Sequence, residues 1–506
     1  MIHSNDGGTM RNIPQFVKTF IAFSIFFESL PALAVDGIEP SVVKVIVTKR
    51  APDFFRPWTK AGPDKAAGSG VVIEGKRILT NAHVVIHASQ VFVQMRKGGD
   101  QLNAKVTAIG PGIDLALVEL TDPEKLANVP PISLADELPQ LKSRVSVYGY
   151  PTGGDDLSIT DGIVSRIEFA GYNYSAGGVR VQVDAALNAG NSGGPAVDDG
   201  KIVGLVFSKI AEAENIGYLI PTEEIRAFLG DVEDGKYEGN CLMFDQFQSA
   251  ENQALRKFLE IPDDVTGVVV TKPYREDDDY PLREWDVITH VGPHAIDNQG
   301  YSDIRDGLRM RFIYYVARLA KDGKIELTIR RDGEKKTVSV PVSPRRDFLV
   351  PILEDGYPEY FIYGPLVFTA ATQEYVRGLG SNGLGALLVL ESPLLARLYR
   401  PPSEQGEQLV VIATRMFPHA IIKGYDNRPL GVVEKFNGTK VKNLRSLAEM
   451  LRDCDDEFVR FEMADRSESI VFNRAELEGS TEEILSNEGI RYQASTSLRD
   501  VWEDAD

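Results

Sequence analysis

The octapeptide Asn188-Ala189-Gly190-Asn191-Ser192-Gly193-Gly194-Pro195 sets a single serine on a tight turn bounded by glycines. Glycine reaches backbone angles closed to other residues and lets a second chain segment come close. Such a turn exposes the Ser192 hydroxyl and lets the amides of Gly190 and Ser192 converge on a developing oxyanion, as acyl transfer requires. A glycine-rich hairpin loop would carry a similar run, so the reading depends on what else the chain holds.

Upstream, Gly68-Ser69-Gly70-Val71-Val72-Ile73 and Arg77-Ile78-Leu79-Thr80-Asn81-Ala82-His83-Val84-Val85 read as a hairpin of apolar strands ending at a histidine. His83 is the candidate general base. Asp114, at the head of the apolar run Leu115-Ala116-Leu117-Val118, could orient and charge-stabilise an imidazole. The order His, Asp, Ser is that of chymotrypsin, distinct from those of subtilisin and the α/β-hydrolases. One buried His or Asp is commonly structural; three residues with matching roles in this order are a much rarer coincidence.

These blocks resemble the HtrA/Deg serine proteases, which carry Thr-Asn-Ala-His, Asp-Leu-Ala and Gly-Asn-Ser-Gly-Gly-Pro. Val147-Tyr148-Gly149-Tyr150-Pro151, Ile216-Gly217-Tyr218-Leu219-Ile220-Pro221 and Asp184 are similar to that family's connecting strands. The likeness is strongest to plant-type Deg proteases with two PDZ modules. It implies a mainly β chain: a chymotrypsin/trypsin-like double β-barrel followed by two PDZ-like α+β modules. It also implies a cofactor-free serine endopeptidase acting on unfolded or damaged proteins as a homo-oligomer, a trimer or a multiple of trimers. The competing reading is a non-enzymatic chaperone or PDZ scaffold on the same fold, and the three intact triad residues weigh against it.

A chain of 506 residues exceeds one ordinary core, and 43% hydrophobic with 25% charged residues suits a globular protein. The formal charge of −19 disfavours nucleic acid or an anionic membrane as a default partner. Arg11 and Lys18 precede the apolar run Phe20-Ile21-Ala22-Phe23-Ser24-Ile25-Phe26-Phe27, and Ala32-Leu33-Ala34 follows. That is the form of a signal peptide over residues 1–34 with the mature chain starting at Val35, which implies export, to the periplasm if the source is bacterial. The run is too short to span a bilayer, and Met10 is an alternative start. Cys241 and Cys454 lie too far apart in sequence to make a disulfide framework and read as free or buried thiols.

The protease domain is expected over residues 35–230, closed by a helix beginning at Thr222 with acids in its first turn. Residues 237–342 alternate strands with one helical stretch and resemble a PDZ domain, with Asp286-Val287-Ile288 and Arg331-Asp332-Gly333 where that family has them. PDZ domains hold a peptide carboxylate on backbone amides. Here the corresponding stretch Cys241-Leu242-Met243-Phe244 has no glycine, and a module used only for packing is an equal reading. Residues 347–475 form the second module, similar to the divergent second PDZ of plant-type Deg proteases, where it implies an assembly surface. Residues 476–506 are a C-terminal extension with a solvated acidic end, and Gly378 to Gly385 reads as a flexible connection.

The pairs His83/His87 and His290/His294 stand at zinc-binding spacing but enclose no His-Glu-x-x-His glutamate and have no third ligand nearby, so no metal is expected. Phe54, Phe55 and Trp58 would be costly apolar surface if exposed. The family implies that they knit trimers; burial alone equally suits a lid over the barrel. The residue six before the nucleophile, at the base of the S1 pocket in chymotrypsin-like folds, is Ala186. Leu205, Val206 and Phe207 are expected to line an apolar pocket wall by family alignment, which favours cleavage after small or medium aliphatic residues.

Overall fold

The computed structural model describes residues 37–95, 98–151, 154–172, 176–188, 190–209, 217–425, 431–464 and 469–503. The expected signal peptide, Ala189 and residues 504–506 lie outside them.

The first barrel is built from β1 (Val42–Lys49), β2 (Asp64–Ile73), β3 (Arg77–Thr80), β4 (Ala88–Gln94), β5 (Leu102–Gly110) and β6 (Leu115–Leu120), closed in the order β1-β2-β3-β6-β5-β4. Alternating valines such as Val43, Val45 and Val47 point into its core. The second barrel holds β7 (Arg144–Gly149), β8 (Ser158–Gly171), β9 (Gly177–Val183), β10 (Pro195–Asp198), β11 (Lys201–Lys209) and β12 (Gly217–Pro221), closed in the order β10-β11-β12-β9-β8-β7. A separate cluster including Val71, Leu79, Leu115, Leu205 and Ile220 is buried between the barrels. The helix Thr222–Asp231, at the position where the sequence leads one to expect a helix, caps this cluster with Ile225 and Phe228.

The strands Val268–Lys272, Val287–Val291, Lys324–Arg331 and Glu334–Pro341 pair antiparallel in the first module, and the Asp332-Gly333 turn joins the last two. Arg331 grips the buried Asp286 with two hydrogen bonds of 2.7 and 2.6 Å, so the two motifs singled out in the sequence are partners. Buried apolar residues of this module and of the second barrel form one continuous cluster. Arg318, on the helix Ile313–Leu319, fastens the join by bonding Glu223 and the buried Glu224 at 2.6 Å each. In the stretch Cys241-Leu242-Met243-Phe244, the Leu242 amide and carbonyl pair with Ser343, so that amide is occupied within the chain.

In the second module an Asn437-Gly438 turn joins the strands Val433–Phe436 and Thr439–Lys440. The helix Leu444–Arg452 buries Leu444, Leu447, Ala448 and Leu451. Three expectations need correction. Residues 378–385 are not a loose connection: a helix spans Gly380–Val389, because Leu379, Leu384 and Leu387 pack into an apolar cluster that outweighs the glycines' low helix propensity. Nor does the chain from 476 onward stand apart. Leu477, Ala494, Leu498 and Val501 belong to the module's core, and Asp500 is paired with Arg445 rather than simply solvated. Finally, Phe54 and Phe55 do not form a lid over the barrel within the chain. They pack on the second module, Phe55 with its ring 5.2 Å from Tyr375, while Trp58 sits 5.4 Å from Phe417. These contacts partly bury the three rings within the chain.

Candidate active site

β3 ends at Thr80, and one turn of helix, Ala82–Val85, follows with the buried Asn81 at its N-cap. That turn carries His83. Asp114 sits just before β6 with φ of 59°, a left-handed conformation that Asp tolerates better than most residues. The Asn81 side chain donates to the Asp114 carbonyl at 2.9 Å and holds this turn in place. Asp114 then engages His83 twice: Oδ1 accepts the His83 backbone N–H at 2.8 Å, and Oδ2 faces Nδ1 at 2.7 Å. A carboxylate only accepts, so Nδ1 carries the hydrogen and Nε2 of the neutral ring is left with a lone pair. The Asp114 side chain is 3% exposed and that of His83 46%, so the imidazole is open to a substrate while its partner is not.

The serine turn is clamped between the barrels. Gly193, at φ of 86°, packs so tightly that an added Cβ would collide with the Ser69 carbonyl and the Thr80 hydroxyl. Gly68 lies between the two halves of the site, since a Cβ there would meet Val84 at 2.7 Å and the Ser192 carbonyl at 3.1 Å. Ser69 donates its N–H to the Ser192 carbonyl and its Oγ to the Gly190 carbonyl, and Oγ accepts from the Tyr150 N–H, each at 2.8 Å. Gly193 N–H is spent on the Val206 carbonyl and Gly194 N–H on that of Asn191. The amides of Gly190 and Ser192, by contrast, donate no hydrogen bond to protein among the described residues. No hydrogen bond links Ser192 Oγ to the imidazole among the described residues, and in unliganded sites that bond commonly tightens only as substrate binds.

Ala186 is exposed, and its carbonyl accepts from Thr160 at 3.2 Å. The expected pocket wall is only partly present. Leu205 is fully buried in the inter-barrel core and cannot line an open wall, and Val206 turns its side chain into the second-barrel core. A strand buried on both faces leaves neither side chain for a substrate. Phe207 is partly buried, its ring 5.0 Å from Tyr172 and 6.2 Å from Tyr218. His87 lies beyond the end of the His83 helix, so the two histidines do not share a helical face.

Sequence reading missed Ser69, Thr80 and Asn81 as supports of the site. All three are fully buried polar residues. Their signal was present: a serine between two glycines, and a Thr-Asn pair ending an apolar strand, are polar groups that need buried partners.

A trypsin-like peptidase domain model matches residues 68–205, and a PDZ domain model matches residues 351–497. The chain is 35% identical over 468 residues to Protease Do-like 4, mitochondrial, of Arabidopsis thaliana, covering 90% of this chain and 85% of that one. It is 33% identical to the same plant's Protease Do-like 2, chloroplastic, covering 92% and 76%. Among solved structures, the HtrA-type protease AlgW with tripeptide superposes with a TM-score of 0.47 at 26% identity, over 60% of this chain and 94% of that one. With matched peptidase and PDZ domains and 35% identity across most of a curated relative, the chain belongs to the HtrA/Deg (Do-like) family of serine endopeptidases.

Proposed function

We propose that peptide hydrolysis by this endopeptidase runs through Ser192, His83 and Asp114. Ser192 Oγ attacks the scissile carbonyl carbon while Nε2 of His83 takes the hydroxyl proton. The resulting imidazolium gives that proton to the departing amine as the C–N bond breaks, and water hydrolyses the acyl-enzyme by the same exchange. Asp114 keeps the hydrogen on Nδ1 throughout. The amides of Gly190 and Ser192 hold the oxyanion. The observation that carries this reading is the two-point grip of Asp114 on His83, which leaves Nε2 as the acceptor.

The substrates we propose are unfolded or damaged proteins. Ala186 supplies no carboxylate for a basic residue, so cleavage after Val, Ala, Leu or Ile is part of the proposal, with Phe207 limiting the pocket and neither Leu205 nor Val206 counted in it. Processing after Ala34 and export from the compartment of synthesis, to the periplasm in a bacterial host, complete it, together with assembly as a trimer or multiple of trimers. Digestion of denatured casein by the wild type, Ser192→Ala and His83→Ala tests the mechanism. Both variants are expected to lose turnover while keeping the wild-type melting temperature, with non-additive losses in the double variant. Near wild-type digestion by either folded variant overturns the triad.

A further inference from the structure

We propose that Lys49 is a positioning residue for this reaction: its ammonium holds the backbone carbonyl of His83 and so helps to fix the imidazole that Asp114 engages. The proposal rests on His83 being the general base.

The need for such a group comes from the shortness of the helix that carries His83. Its last helical residue is Val85, and at Ile86 the chain turns extended, with φ of −57° and ψ of 136°. Ile86 N–H still reaches the Ala82 carbonyl at 2.7 Å, but one position on, no backbone N–H reaches the His83 carbonyl among the described residues. Carbonyls orphaned at a helix C-terminus must be satisfied from elsewhere, and a lysine is well suited to it. Lys49 Nζ donates to the His83 carbonyl at 2.6 Å, a charge-assisted bond.

His83 is then held from two elements. Asp114, ahead of β6, takes the backbone N–H and Nδ1. Lys49, the last residue of β1, takes the C=O. The same peptide is also held by the Val84 N–H on the Asn81 carbonyl at 3.2 Å, a longer neutral bond, so the charged bond from Lys49 adds the stronger restraint on that peptide and on the direction of Nε2. A catalytic group needs its rotamer locked by surrounding contacts to hold productive geometry.

Lys49 is itself well fixed. Its strand neighbour across β2 is Asp64, and the following residue, Arg50, donates its N–H to the His87 carbonyl at 2.9 Å. Arg50 Nε reaches the Ala61 carbonyl at 2.7 Å, while the Arg50 carbonyl accepts from Tyr357 of the second module, also at 2.7 Å. Burial lowers the Lys49 pKa, and the carboxylates of Asp64 and Asp114 oppose that shift.

Steady-state turnover of fluorescein-labelled casein by the full-length enzyme tests the proposal, with melting temperature recorded for each variant. Lys49→Met is expected to lower kcat about tenfold, with KM within about twofold and melting unchanged. Lys49→Arg, which keeps a charged donor, is expected to recover kcat to within about threefold of wild type. If Lys49→Met does not fold, Lys49→Leu, which likewise has no donor, is read in its place against the same criteria. The role is overturned if the charge-free variant keeps kcat within about twofold of wild type, or if a folded Lys49→Arg is as slow as it. A general-base failure is distinguishable, because His83→Ala would then keep its turnover; an inert His83→Ala beside an unimpaired Lys49→Met removes only the role of Lys49.

Discussion

Ser69 ties three backbone groups of the site together with one side chain and one amide, joining residues as far apart in the chain as Ser69 and Ser192. Ser69→Ala removes the hydroxyl alone and leaves the Gly190 carbonyl and the Tyr150 N–H buried without partners. Each such loss costs about 1–3 kcal/mol. A lower denaturant midpoint is therefore expected, with a fall in kcat as the serine turn loosens; an unchanged midpoint would mean that water replaces the hydroxyl. Specificity is the second prediction at this scale. Without a carboxylate at Ala186, burying a substrate ammonium would cost several kcal/mol, so cuts in denatured casein should follow aliphatic residues. Discrimination among them should be modest, since a methylene is worth about 1–3 kcal/mol in an apolar pocket. Mass spectrometry of the products checks this, and a majority of cuts after Lys or Arg would refute it.

At the level of elements, periodicity and turn chemistry located several strands and helices, including the apolar hairpin before His83 and the helix Thr222–Asp231. The helix Gly380–Val389 escaped because local propensity opposed it and tertiary packing overrode that propensity. An ion pair in the same module gives a pH prediction. Glu407 is 9% exposed and accepts bidentate hydrogen bonds from Arg397, which hold its carboxyl down from 4.5 to about 2. The folded pKa lies below the unfolded one. The carboxylate therefore contributes stability at and above the unfolded value of 4.5, and that stability is lost as pH falls from there towards 2. Its size at neutral pH is roughly 3 kcal/mol. Thermal melts of the wild type should fall steeply across that window, while Glu407→Gln should melt lower at neutral pH and show a shallower fall. Parallel melting curves for the two proteins would count against it.

Across the whole molecule, the connection between β1 and β2 reaches from the protease domain to the second module through Phe55, Trp58 and the Tyr357 bond to Arg50. Trp58→Ala removes one of these rings and is expected to raise amide exchange both in residues 52–60 and around Phe417, since local opening tracks the loss of buried contacts. Unchanged exchange at Phe417 would show that the contact contributes little. The proposed leader gives the remaining prediction: protein recovered after export should begin at Val35, the small residues Ala32 and Ala34 marking the cut. N-terminal sequencing that reads through Ala34 would exclude that site.

The residues by themselves carried the resemblance to the family and set out the chemistry on offer, because motifs, glycine-bounded turns and apolar alternation are read from neighbours close along the chain. Tertiary structure decided which of those groups meet. Asp114 reaches His83 across 31 residues, and the Ser69 hydroxyl finds its carbonyl 121 residues away. The same step sent Leu205 into the inter-barrel core and the Trp58 ring onto the second module. Such placements depend on which apolar surfaces can be buried together and which buried polar groups then find partners, and both are properties of the packed chain that no short stretch of sequence contains.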